Sequence, residues 1–121
     1  MLTNKFKSGS VTVITTCCND KEKVTKFVDH YLKLGVDSIV LILDNLSNDG
    51  TRELYAHNPR IDIRDVGYPN GPDKTLEKTY INNVVKQYFQ CWILIADIEE
   101  RLKINFDKKN LTQTDTLFKL S

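Results

Sequence analysis

Long apolar runs, glycine-rich phosphate loops and metal-type cysteine spacings are all missing from this sequence, and each absence removes a class of function. No stretch approaches the ~20 consecutive apolar residues that a helix needs to cross a bilayer. Neither G-x-G-x-x-G nor G-x-x-x-x-G-K occurs, which counts against a dinucleotide fingerprint and against P-loop chemistry. The three cysteines include the adjacent pair Cys17 and Cys18; their spacing suits neither a zinc site nor a disulfide framework. Cys17 and Cys91 fall in apolar segments, where a free thiol behaves as a small hydrophobe. His30 and His57 have no neighbour at ligand spacing, so His30 is expected on a helix surface and His57 in a loop. A net charge of +1 supplies no field for nucleic acid or an anionic membrane, and neither is expected as a partner. Met1–Ser10 carries Lys5 and Lys7 but no apolar signal core. With the free thiols, this gives a cytoplasmic expectation.

What is present is ordinary for a globular domain: 121 residues, 40% hydrophobic and 27% charged. Val11–Thr16 is β-branched throughout and reads as a strand. Asn19 then serves as a helix N-cap with Glu22 as its capping-box partner. Val24, Phe27, Val28, Tyr31 and Leu34 form one helical stripe, which Gly35 ends in a left-handed conformation. Ile39–Leu43 is a short, continuous apolar run of the kind found in a parallel strand covered on both faces. It leads into the turn and capping cluster Asp44–Thr51, with a short helix over residues 50–56. A third strand is expected at Ile61–Val66, then a Gly/Pro loop over residues 67–72. Asp73 caps a helix to about Gln90, with Leu76, Tyr80, Val84 and Tyr88 on one face. Cys91–Ala96, with Trp92 in the core, is the fourth strand. Ile104–Phe106 reads as a short strand, and residues 107–121 as a poorly determined C-terminal tail.

The alternation of strands and helices predicts an α/β fold: a doubly wound, Rossmann-like, mostly parallel sheet with helices on both faces. A ligand site then belongs beyond the carboxyl ends of the strands, where strand order reverses. Acidic residues follow three of the strands directly, at Asn19/Asp20, Asp44/Asn45 and Asp97/Glu99. Carboxylates at i and i+2, such as Asp97 and Glu99, can turn toward one hard divalent cation. Such an ion could bridge a diphosphate and neutralise the charge of its departure. The plain alternative is an acidic surface turn paired with Arg101. Asp44 could accept from a base N–H or a ribose hydroxyl, while Ser47, Asn48 and Asp49 are expected to cap the next helix and hold the loop.

Taken in order, these segments resemble the N-terminal half of the GT-A glycosyltransferases, close to family 2. The resemblance runs from about Val11 to Leu102. It is carried by Leu34-Gly35-Val36-Asp37, by Asp44-Asn-Leu-Ser-Asn-Asp-Gly-Thr51 after an apolar strand, and by Trp92 leading to Asp97-Ile-Glu-Glu100. It implies a nucleotide-sugar-binding domain over residues 1–106. Thr15, Thr16, Asn19 and Asp44 would line the nucleotide pocket. Asp97 and Glu99 would stand in the places of the family's Asp-x-Asp carboxylates, which bind the sugar-nucleotide diphosphate together with Mn2+ or Mg2+; Glu100 matches the acidic residue that often follows. Glu99 departs from the pattern by one methylene.

The family's later half supplies the acceptor site and, in inverting members, the general base. No equivalent is identified, since nothing places Asp107 or Asp115, and a truncated transferase is the expectation. Two readings follow: a sugar transferase using a nucleotide-sugar donor and an acceptor of unknown kind, or a catalytically incomplete nucleotide-binding or interaction module of the same descent. A homodimer is a further expectation, because self-association would cover an edge or patch left by a missing half. A receiver- or flavodoxin-like signalling domain also carries acidic strand ends, but no phosphoacceptor arrangement needs the Asn-x-Ser-x-Asp-Gly-Thr stretch.

Overall fold

The computed structural model describes residues 9–89 and 91–101. Seven elements alternate: β1 (Val11–Cys17), α1 (Lys21–Leu34), β2 (Ser38–Asp44), α2 (Thr51–Tyr55), β3 (Ile61–Val66), α3 (Lys74–Gln87) and β4 (Trp92–Ile95). The strands form one sheet in the order β3-β2-β1-β4, with every pairing parallel. This is a small α/β fold of Rossmann-like arrangement. The expected strand at Ile104–Phe106 and the tail over 107–121 lie outside the described residues. Among the described residues, no helix is long and apolar enough to cross a membrane.

Period-two alternation divides the strand side chains between two cores. Val11, Val13 and Cys17 of β1 and Ile39, Leu41 and Leu43 of β2 meet Val24, Phe27, Val28 and Tyr31 of α1, with Tyr55 of α2. Ile14, Val40 and Ile42 point the other way, onto Val84 of α3 and the adjoining Tyr88. Helices therefore cover both faces. Double coverage explains why the inner strand β2 is buried along nearly its whole length, whereas the outer strands β3 and β4 are only partly so.

Val24, Phe27, Val28 and Tyr31 of the α1 stripe are buried and Leu34 partly so, and Phe27 and Tyr31 pack with ring centroids 4.7 Å apart. Gly35 ends this helix at φ 105°, its N–H reaching Leu32 O while the Val36 N–H reaches Tyr31 O. That double bond satisfies carbonyls which the helix would otherwise leave open. At the other end the structure corrects the sequence reading. The N-cap residue is Asp20, and no side chain of its own segment caps the helix. Glu22 pairs with Lys26 instead of reaching back, and Asn19 takes φ 50°. α3 is capped as expected, by Asp73 Oδ1 accepting from Leu76 N at 3.1 Å. It stops at Gln87, short of the expected Gln90, because Tyr88 leaves the helical conformation. Its buried ring carries the hydroxyl to Asp62 Oδ2 at 2.6 Å.

A candidate ligand cavity at the carboxyl edge of the sheet

From β1 the chain steps outward through β2 to β3, and α3 then carries it back past both to β4, on the far side of β1. All four strands point their carboxyl ends to one edge of the sheet. A cavity of about 500 Å3 opens there on the α3 side. Its walls come from three segments: Thr16, Cys17, Cys18 and Asp20 after β1; Asp44 and Leu46 after β2; and Tyr68, Gly71, Pro72, Asp73, Lys74 and Glu77 of the β3–α3 connection. That volume lies in the range of small-molecule sites. A smaller cavity of about 300 Å3 lies between β3 and α3, but its charged walls are already engaged: Arg64 with Asp62 and Gln87, and Asp65 with Arg52.

Strand alternation decides which β1 threonine reaches the larger cavity. Thr16 faces α3 and donates to Glu77 Oε1 at 3.0 Å, joining the first strand end to the first turn of α3. Thr15 faces the α1 side. It is 1% exposed, and its hydroxyl makes no hydrogen bond among the described residues. Of the two threonines expected in the pocket, only Thr16 lines it. Asp44 also does, with Oδ1 accepting the Leu46 N–H at 2.9 Å. Tyr68 packs edge-on against Tyr80 at 5.5 Å, and Tyr80 anchors this wall through its hydroxyl to Gly67 O at 2.6 Å. Burial, then the Glu77 charge, with smaller contributions that include Asp44 and Asp73, push the Tyr68 phenol up to about 12. It stays a neutral donor at physiological pH. The cavity thus combines an aromatic wall with the carboxylates of Asp20, Asp44, Asp73 and Glu77 and the single ammonium of Lys74, which sits 3.6 Å from Glu77.

The opposite rim is stitched from the two loops that carry the Asn-Asp and Asp-Asn motifs. Asn19 N–H donates to Ser47 Oγ at 2.9 Å, and Asn48 N–H donates to Asn19 Oδ1 at 2.9 Å. Asp49 Oδ2 accepts the Lys21 N–H at 2.8 Å, while its Oδ1 accepts the Thr51 N–H and hydroxyl at 3.1 and 2.7 Å. One carboxylate therefore caps two helices, supplying from the next loop the cap that α1 lacks locally. Ser47 and Asp49 hold the loop as expected. Asn19 belongs to this lattice and is absent from the cavity wall.

Asp97 and Glu99 follow β4 on the same edge but do not line the cavity. β2 and β4 flank β1 on opposite sides, so Asp44 ends, and Asp97 follows, strands about 10 Å apart. Asp97 is exposed, and its backbone N–H is held by Glu100 Oε1 at 2.7 Å. Glu99 turns to the first turn of α1, where Lys23 Nζ lies 2.6 Å away and holds its carboxyl below the usual range. The rest of the segment folds over α1: Tyr31 donates its hydroxyl to Glu100 O, and the Arg101 guanidinium lies over the Phe27 ring at 5.4 Å. Arg101 bonds backbone carbonyls of Ile98 and Glu100. Among the described residues, no group of three or more His, Cys, Asp or Glu is arranged to hold a metal ion. The donor set does not fit a protein-only metal centre.

Sequence reasoning missed Tyr68, Asp73 and Glu77 as cavity residues. The signal was available, because a Gly/Pro-rich connection following a parallel strand opens at the carboxyl edge. Burial, then the Asp20 and Asp49 charges, push the Cys17 thiol up to about 12, which removes it as a nucleophile. His57 is exposed beyond α2, and His30 stacks edge-on against Tyr31 at 4.8 Å. No family model, curated protein or solved structure matches this chain.

Proposed function

We propose that this chain is the nucleotide-sugar-binding part of a family 2-like, GT-A type glycosyltransferase, which takes a nucleotide-sugar donor at the carboxyl edge of its sheet. One observation supports this most: Asp44 and Thr16, from motifs 28 positions apart, line a single cavity beyond parallel strand ends beside an aromatic wall. In this reading the nucleoside occupies the cavity, and the diphosphate lies across β1 toward Asp97. Mn2+ or Mg2+, entering with the diphosphate, would be held by Asp97 and would neutralise charge on the leaving group. Glu99 could join only by leaving Lys23. That ion pair favours the second reading, a module that binds nucleotide without completing transfer.

Thermal unfolding with UDP- and GDP-sugars, each with and without Mn2+, tests the proposal. A ligand at one hundred times its Kd stabilises the folded state by about 2.7 kcal/mol. At least one donor should raise the melting temperature, with Asp44→Asn weakening the effect and Asp97→Ala abolishing its metal-dependent part. No shift with any donor would overturn the proposal. Donor hydrolysis or transfer in the same samples separates the enzyme from the module.

A further inference from the structure

The inventory of hydrogen-bonding side chains around the 500 Å3 cavity is lopsided, and that biases which ligands it can satisfy. Its side chains include four carboxylates, which only accept. Thr16 spends its proton on Glu77, leaving its oxygen as a further acceptor. On the donor side stand the Tyr68 phenol, kept protonated, and Lys74, whose side chain is 96% exposed and turned toward Glu77. Glu77 is the sequestered carboxylate, its side chain 25% exposed. Asp44 is partly buried; its Oδ1 accepts Leu46 N with one lone pair, which leaves a second lone pair on that oxygen and both on Oδ2 for a ligand. Carbonyl oxygens brought into such a cavity would meet like-signed lone pairs. N–H groups would meet partners.

Resting on the nucleotide-sugar reading, we infer that the cavity selects guanine as the base of the donor, reading its adjacent N1–H and 2-amino donors with the carboxylate of Asp44 and backing them with Glu77. Guanine is the common base that presents two neighbouring N–H groups on one edge, matching the two oxygens of a carboxylate. Uracil offers one N–H flanked by two carbonyls, and cytosine offers an amine beside two acceptors. Tyr68 and Leu46, both on the cavity wall, offer apolar surface to the flat face of a purine, and Leu46 is left 75% exposed. The same acidity keeps a diphosphate out of the cavity, so base and phosphates are sorted to separate parts of the edge.

Uncharged nucleosides test the cavity apart from the diphosphate. Guanosine, inosine, uridine and cytidine are titrated into the full chain, followed by amide chemical shifts. Guanosine should bind at least tenfold tighter than uridine or cytidine. Inosine, which lacks the 2-amino group, should fall between, since hydrogen bonds to charged groups are each worth about tenfold or more. Asp44→Asn keeps an acceptor for Leu46 N and should remove the guanosine preference; Glu77→Gln keeps one for Thr16 and should reduce it. Uridine or cytidine binding as tightly as guanosine would overturn the inference. So would a guanosine preference untouched by Asp44→Asn. If guanosine fails while UDP-sugars still raise the melting temperature, the guanine assignment falls and the transferase proposal stands. If neither nucleosides nor any nucleotide-sugar bind, both fall.

Discussion

Replacing Asp49 with alanine would remove a carboxylate that holds the first N–H of α1 and both the N–H and hydroxyl of Thr51 at the start of α2. Loss of a helix N-cap costs about 1 kcal/mol at a single helix end. Two ends share this cap, so Asp49→Ala should cost about 2 kcal/mol. For a chain of this size that lowers the melting temperature by roughly 8 °C, and folded-state stabilities of about 5–15 kcal/mol leave the variant folded. Urea unfolding followed by circular dichroism reads the change as a lower midpoint with an unchanged slope. Glu53→Ala, an exposed change in α2, is the control and should stay within about 0.5 kcal/mol of the parent. An Asp49→Ala midpoint indistinguishable from the control would refute the shared-cap account. The effect should also depend on pH. Burial raises the Asp49 carboxyl, but bonds from Thr51 and Lys21 outweigh it and hold it below its ordinary 3.8. A depressed folded value means the stabilisation is complete above 3.8 and is lost as pH falls through the lower folded value. The parent and Asp49→Ala should therefore converge in stability below that point.

Gly50, at φ 90°, links Asp49 to α2, and a Cβ there would meet the Lys21 ammonium at 3.3 Å. The lysine tip can move but the backbone conformation cannot, so Gly50→Ala should destabilise by about 1–2 kcal/mol in the same urea assay; a neutral result would contradict the left-handed geometry. Thiol labelling at pH 8 should modify exposed Cys18 rapidly. Buried Cys17, held near 12, has a thiolate fraction of about one in ten thousand and should react only on unfolding. Fast modification of both in the native protein would mean the end of β1 is open.

The strands were legible because their residues encode period and burial locally. Val11–Thr16 is β-branched, Ile39–Leu43 is apolar on both faces, and Gly35, Gly67 and Pro72 mark where regular structure stops. The cap of α1 was not legible. Asn19 and Glu22 have capping-box spacing, but the bond that counts runs from Lys21 N–H to Asp49, 28 positions beyond Lys21, and no local pattern announces a tertiary partner. The threonine pair could have been resolved in advance, since side chains alternate along a strand and only one of Thr15 and Thr16 can face α3. The acidic motifs were found, but their direction was not. Where Asp97 and Glu99 point depends on Lys23 of α1 and on the way the chain turns across Phe27 and Tyr31.

The lattice between the first two strand-end loops has a consequence for how a guest is received. On that side the backbone is pinned by cross-loop bonds at Asn19, Ser47, Asn48 and Asp49, whereas the facing Tyr68–Asp73 stretch is anchored from either end, where Tyr80 grips Gly67 and where Glu77 takes the Thr16 hydroxyl. The mouth thus has one jaw cross-linked between loops and one held at its ends. The cross-linked jaw sets the angle at which a molecule enters, and the Tyr68–Asp73 stretch sets how bulky that molecule can be. Changes of residue there should alter the sizes accepted while leaving the angle of approach intact.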